Sequence, residues 1–147
     1  MSSLVLEFRP GEMLIVNGAS IRFRSRARIE VTAHVRFVFG KQVMSPEEAR
    51  TPARQLYLAL QTAYAGKTEE RAPALTTART LGAALKDRST SSFIRDALDR
   101  ALAAAEAGDS FAALKWARRI IEHEEAEFDR EGLKAEPANS VGQLATN

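Results

Sequence analysis

The sequence predicts an α+β fold: a small N-terminal antiparallel β-sheet or barrel followed by a C-terminal helical bundle of about four helices. Three observations carry this. From Ile21 to Phe39 the residues alternate, with Ile21, Phe23, Ala27, Ile29, Val31, Ala33, Val35, Phe37 and Phe39 at odd positions. Arg22, Arg24, Arg26, Arg28, Glu30, Thr32, His34 and Arg36 stand at even ones. Period two sends side chains to opposite faces of a strand. Asn17-Gly18 between two apolar runs has the chemistry of a type I′ hairpin turn. After Ser45 the apolar spacing changes to three and four, with capping residues at the breaks.

A chain of 147 residues makes one domain, or one compact unit of two parts, and buries enough surface to hold a core without staples. The parts are a strand block at 1–44, a helical block at 45–132 and a tail at 133–147. With no cysteine, disulfides, thiol nucleophiles and cysteine-bound metals are excluded. The start of the chain lacks a basic targeting segment, and no apolar run approaches the roughly 20 residues that cross a bilayer. A cytoplasmic protein with no membrane contact is the expectation. Charge divides unevenly: seven basic residues stand against three acidic through Met44, and fourteen against sixteen beyond it. Such asymmetry points to an anionic partner for the first part, or to contact between the halves.

In chain order, Leu4, Leu6 and Phe8 alternate as a short strand that Pro10-Gly11 ends with a turn. Met13 to Val16 is apolar on both faces, which suits an interior or covered strand. A two-residue loop at Asn17-Gly18 sets Val16 opposite Ala19, Leu14 opposite Ile21 and Met13 opposite Arg22. Arg22 then shares a face with Met13 and Ile15, which needs cover from the helical half or from a second copy of the chain; a homodimer would supply the latter. Strands run about five or six residues, so the alternating stretch should break near Arg24-Ser25-Arg26 and near Thr32 to His34. Four or five strands result.

Ser45-Pro46-Glu47-Glu48 carries a capping serine, a first-turn proline and a glutamate three residues on, which start a helix. Thr51-Pro52 either kinks that helix or restarts it. Leu56, Leu60 and Ala63, with Tyr57 and Tyr64 beside them, form an apolar stripe closed by Gly66. Lys67 to Pro73 reads as a loop or frayed turn, and Ala74 to Lys86 as a second helix. A third carries Phe93, Ile94, Ala97, Leu98, Ala101, Leu102 and Ala105 on one side. Asp109 or Ser110 caps a fourth, with Phe111, Leu114, Ala117, Ile121 and Phe128 inward. Beyond Gly132 small and polar residues predict disorder.

Catalysis has no visible seat. His34 stands among arginines as an exposed polar residue, and His123-Glu124-Glu125 lacks the second histidine of a metalloprotease helix. The acids from Glu122 to Glu131 read as a solvated helix end, and neither a nucleophile elbow nor a phosphate loop is present. No metal or cofactor is implied.

The arginine row is what carries function. Successive even positions of one strand stand about 7 Å apart, on the scale of phosphates along a single nucleic-acid strand, and guanidinium both binds phosphate through paired donors and stacks on bases. Arg22, Arg24, Arg26 and Arg28, with Arg9, Arg36 and Lys41, are the candidate RNA contacts. The competing reading is a solvated face paired with acids of the helical half. Phe23, Phe37 and Phe39 belong to the core.

Leu6-x-x-Arg9-Pro10-Gly11-Glu12, Asn17-Gly18-Ala19, Glu47-Glu48-Ala49-x-Thr51-Pro52-Ala53-Arg54 leading to Tyr57, and Ala117-Arg118-Arg119-Ile120-Ile121-Glu122 with Glu124 together resemble the FlbT family of small flagellar regulators of alphaproteobacteria. The resemblance implies a post-transcriptional regulator that binds the 5′ untranslated region of flagellin mRNA and represses translation or promotes decay, with FlaF as a small protein partner. The strand block, through Leu4-x-Leu6-x-x-Arg9-x-Gly11-Glu12-x-Leu14-x-Val16, also resembles the CsrA-type RNA-binding dimers. One departure from FlbT is Phe39-Gly40, where the resemblance implies an arginine followed by acids; that contact would pass to Arg36 or Lys41. The alternative to an RNA binder is a protein-interaction adaptor, for which exposed Tyr57 or Trp116 would serve as aromatic anchors.

Overall fold

A computed structural model of the chain describes residues 3–134. Five strands precede four helices: β1 (Leu4–Phe8), β2 (Met13–Val16), β3 (Ala19–Arg22), β4 (Ala27–Val31), β5 (Phe37–Phe39), α1 (Pro52–Ala65), α2 (Thr68–Arg88), α3 (Ser92–Glu106) and α4 (Ser110–Lys134). Asn17 and Gly18 both adopt positive φ, 50° and 86°, as a type I′ turn requires. The hairpin register follows, with Val16 opposite Ala19, Leu14 opposite Ile21 and Met13 opposite Arg22.

The strands form two antiparallel sheets, β3-β2-β5 and β1-β4, with no closed barrel. β2 lies in the middle of its sheet, in keeping with its apolar residues on both faces. The sheets share a small core in which Phe8 stacks on Phe23 at 4.0 Å between ring centroids and meets Phe39 edge-on at 5.8 Å, beside buried Leu6 and Leu14. The alternating stretch breaks at both expected places, because one chain segment supplies strands to both sheets: β3 leaves the first at Arg24-Ser25 and β4 enters the second. Ile21, expected inward, is 40% exposed on the edge strand β3.

The serine-capped segment makes only a 3-10 turn, Pro46–Glu48, with the Ser45 N–H donating to Glu48 Oε1 at 2.8 Å. A new helix then starts at Pro52, where Thr51 Oγ1 accepts from the Arg54 N–H at 3.2 Å. Lys67 to Pro73 is not a loop but the first turns of α2. There Glu70 Oε1 accepts the Lys67 N–H at 3.1 Å, and Arg71 Nε donates to the Gly66 carbonyl at 2.9 Å. Pro73 falls early in that helix, where its missing N–H forfeits one bond near an exposed end.

Leu56, Tyr57 and Leu60 of α1, Leu98 of α3 and Ile120 of α4 make the centre of the main core, and the strand block adds Val38 and Met44 to it. The buried alanines of α3, Ala97, Ala101 and Ala105, allow close helix approach. Gly82 of α2 does the same, since a Cβ there would stand 2.8 Å from Leu102 Cδ1. Ile15 packs against this core, and with Met13 it lines a cleft shared with Leu58, Gln61 and Thr62. The helical half therefore covers the face that Arg22 shares with them.

Phe111 and Phe128, expected inward, are 38% and 75% exposed. α1 and α3 both begin beside the segment from His123 to Phe128, through the Arg54–Glu125 ion pair and the Ser91–His123 contact, so the last turns of α4 outrun their neighbours. α4 continues to Lys134, and the remainder of the tail expected at 133–147 lies outside the described residues.

Gln61 is 4% exposed and pairs both backbone groups of Met44, Oε1 accepting from its N–H at 2.9 Å and Nε2 donating to its carbonyl at 3.0 Å. Its amide thus acts as a one-residue strand that joins the linker to α1. Gln61→Leu leaves those two groups unpaired, and urea unfolding should show a loss of about 1–3 kcal/mol. A second expectation concerns α2 and α3, which Arg79 and Glu106 join; Arg79 Nη2 donates to Glu106 Oε1 at 3.0 Å. The hydrogen bond from Arg79 holds the Glu106 carboxyl below its ordinary value. A depressed carboxylate stabilises the fold above its unfolded pKa and ceases to as pH falls through the folded one. The small difference in unfolding midpoint between wild type and Arg79→Ala should be present at neutral pH and vanish in acid.

Candidate nucleic-acid interface

The bend between the two sheets decides how the arginines are presented. Arg22 ends β3, Arg24 and Arg26 occupy the bend and its exit, and Arg28 lies in β4. All four are exposed. They do not form a straight row at strand spacing, because a two-sheet architecture turns the chain between them; they follow the corner at which the chain passes from one sheet to the other. The outward face of β4 is kept by register: Ile29 pairs with Leu6 toward the core, while Arg28 pairs with Glu7 toward water.

Their partners are few. Arg28 Nε stands 3.5 Å from Glu7, with both side chains 74% exposed, and so exposed an ion pair contributes little and yields easily to another anion. Arg22 Nη1 donates to the Gly11 carbonyl at 3.3 Å, which places it beside the β1–β2 turn. Arg9 is at the same turn, where its backbone N–H donates to Glu12 Oε1 at 2.8 Å. Arg24 and Arg26 make no hydrogen bond or ion pair among the described residues. Among the described residues no acid of the helical half pairs with the corner arginines, whose one ion pair there is to Glu7 of the strand block.

Arg36 and Lys41 belong elsewhere. Arg36 lies over the Tyr64 ring at 5.9 Å and its Nη1 approaches the Tyr64 carbonyl at 3.5 Å. Lys41 is exposed, and its carbonyl accepts from Arg118 Nη2 at 3.0 Å. The seven candidate cations therefore divide, with Arg9, Arg22, Arg24, Arg26 and Arg28 on the turn side of the strand block and Arg36 and Lys41 against the helices.

Of the two aromatic anchors, Tyr57 is only 2% exposed. It is a core residue, its hydroxyl donating to the Gln42 carbonyl at 2.7 Å, and it offers a partner no surface. Trp116 is half-buried between Arg100 at 5.3 Å and Arg119 at 5.0 Å. Of the basic residues of α4, Arg118 and Arg119 enter the sequence analysis only as landmarks of the family resemblance and Lys115 not at all; none is read there as a site residue. Their signal is interleaving: Phe111 precedes Lys115 by four positions and Trp116 precedes Arg119 by three, which puts each ring beneath a cation on one helix.

Ser91 Oγ and Glu127 approach His123 through the same nitrogen, Nε2, at 3.4 and 3.6 Å. A hydroxyl-activating relay needs the acid on the opposite ring nitrogen, so this cluster lacks that geometry. His34 is exposed. Among the described residues no group of three or more histidines and acids is placed to hold a metal, and no helix is long and apolar enough to cross a membrane.

The family model described as "Flagellar protein FlbT" matches residues 4–128. The chain is also similar to proteins named "Probable flagellum biosynthesis repressor protein FlbT". That of Allorhizobium ampelinum is 37% identical over 60 residues, 41% of this chain and 40% of that protein. That of Chelativorans sp. is 36% identical over 61 residues, 42% of each chain, and that of Brucella ovis 35% over 60 residues, 41% of this chain and 40% of that protein. Each of these matches spans about two fifths of the curated relative's length. No solved structure matches. With the family model running from the first residue of β1 into the last turns of α4, the chain belongs to the FlbT family of flagellar proteins.

Proposed function

We propose that this protein is a repressor of flagellum biosynthesis that acts after transcription, by binding the 5′ untranslated region of flagellin mRNA in the cytoplasm and lowering its translation or lifetime. The repressor role is taken from the names of its relatives. The observation that carries the RNA contact is the exposed bend of Arg22, Arg24, Arg26 and Arg28, whose one carboxylate partner among the described residues is the exposed Glu7.

A bent array of guanidinium groups suits a flexible single strand, which can follow the corner while its phosphates take paired donors. It suits a rigid duplex less well. Each phosphate neutralised releases counterion, so affinity falls with salt.

A second reading, a flagellar protein-interaction adaptor with FlaF as its partner, is favoured by Phe128, which is 75% exposed between two clefts at the end of α4. A purified chain that shifts no RNA but captures FlaF in a pull-down would establish it over the first.

Substitution of Arg22, Arg24, Arg26 and Arg28 by glutamine should abolish the gel shift of a flagellin leader RNA with circular dichroism unchanged, and unchanged affinity would remove the direct-RNA model. For about five phosphate contacts, wild-type log affinity against log salt should have a slope of roughly −3 to −4. Arg24→Gln alone should make the slope shallower by about 0.7.

A further inference from the structure

α4 runs back along α1, and where the two meet the loop after β5 a pocket of about 280 Å³ opens, lined by Gln42, Tyr57, Phe111, Lys115, Arg118 and Arg119. Its volume lies just below the range of about 300–1,000 Å³ usual for small-ligand sites, which suits a compact ligand rather than a large cofactor. The lining holds three cations and no carboxylate. That sets it apart from the clefts on either side of Phe128, one of which opposes Glu124, Glu127 and Glu131 to Arg88, and the other Glu48, Glu124 and Glu125 to Arg50 and Arg54.

Each cation in the pocket lies over a ring: Lys115 Nζ is 5.1 Å from Phe111, the Arg118 guanidinium 4.9 Å from Tyr57 and the Arg119 guanidinium 5.0 Å from Trp116. None of the three has a carboxylate partner among the described residues. Arg118 is fixed by donating through Nη2 to the Lys41 carbonyl at 3.0 Å and to the Tyr57 hydroxyl at 3.3 Å, which leaves its other donors unspent. Gln42 Oε1 accepts from the Phe39 N–H at 3.3 Å, and its amide NH2 makes no hydrogen bond among the described residues. Flat apolar walls, held guanidinium planes and uncompensated positive charge in so small a space fit a ligand with one planar ring and one phosphate.

We infer that this pocket seats a single nucleotide of single-stranded RNA, its base against Phe111 and the Arg118 plane and its phosphate on Lys115 and Arg119. The inference deepens the RNA reading proposed above and rests on it for the source of the nucleotide. It also gives Arg36 and Lys41 a place. Arg36 stacks on Tyr64, whose ring is 6.2 Å from Phe111, and Lys41 adjoins Arg118, so both flank the pocket rather than the corner.

Trp116 is the sole tryptophan and lies under Arg119, so its emission reports on the site. The full chain is titrated with tetranucleotides of A, C, G or U, with nucleoside monophosphates, with inorganic phosphate and with hexaglutamate. At least one tetranucleotide should shift the emission. Lys115→Gln with Arg119→Gln, both exposed positions, should weaken that binding roughly tenfold with circular dichroism unchanged, while Arg88→Gln with Arg130→Gln, exposed positions outside the pocket, should not. Tetranucleotide binding that is absent, or equal in the Lys115/Arg119 variant, overturns the pocket. So does inorganic phosphate or hexaglutamate that competes as well as a nucleotide. Leader RNA lost only in the four-arginine variant, with no pocket effect, sinks the pocket and leaves the RNA reading. Pocket-dependent nucleotide binding by a chain that shifts no leader RNA supports the pocket and sinks that reading instead.

Discussion

Much of this architecture depends on one left-handed turn meeting one helix end. The Gly18 N–H donates to the Ala65 carbonyl at 2.6 Å, and Ala65 is the last residue of α1, where carbonyls have no partner within the helix. The turn that sets the β2–β3 register thereby also caps the helix at the centre of the main core. A Cβ at Gly18 would stand 2.6 Å from the Lys67 backbone nitrogen, so the approach requires glycine twice over, for its φ of 86° and for its missing side chain. Asn17 adds to the seam through Oδ1, which accepts from Arg71 Nη2 at 3.4 Å. Strand block and helical block are joined there and again at Gln61.

The parts of the fold legible in the sequence are those with strong local chemistry. Asn17-Gly18 dictates a register residue by residue, Thr51-Pro52 restarts a helix, and Asp109 caps another, its Oδ1 accepting from the Ala112 N–H at 3.2 Å. Less legible was the start of α2, where Lys67 to Pro73 offers charges and a proline but no apolar stripe. Tertiary contacts supply what propensity lacks: Arg71 reaches the Gly66 carbonyl and Asn17, and Gly82 lets α3 close in. Phe128 misleads for a related reason. Its spacing is that of a buried face, yet the neighbouring helices begin beside it, and a one-dimensional pattern carries no information about where a neighbour ends.

For the candidate site, alternation identified which side chains face water but not how the backbone carries them. Arg22 and Arg28 keep the outward orientation that even positions imply, although a corner separates them. Tyr57 shows the limit of residue type: an aromatic ring beside an apolar stripe reads equally as anchor or core, and only its contact with the Gln42 carbonyl and the Arg118 guanidinium decides. Lys115, Arg118 and Arg119 sit in an acidic half by net charge, so summation over the block hid a local cluster that α1 and the β5 loop complete.

The two-stranded sheet has a further implication. Among the described residues β1 and β4 pair only with each other, so each presents there a row of backbone amides and carbonyls on its other side, next to Leu4 and Val5 at 49% and 50% exposure. Naked borders of this kind invite cross-chain pairing unless like charges hold copies apart. Arg26, just before β4, and Arg28 within it are exposed and bring positive charge to that sheet. On the RNA reading proposed above, a bound polyanion would cancel that charge, so loading the corner would also lift the electrostatic guard against edge-to-edge assembly and link occupancy to colloidal behaviour through the same guanidinium groups.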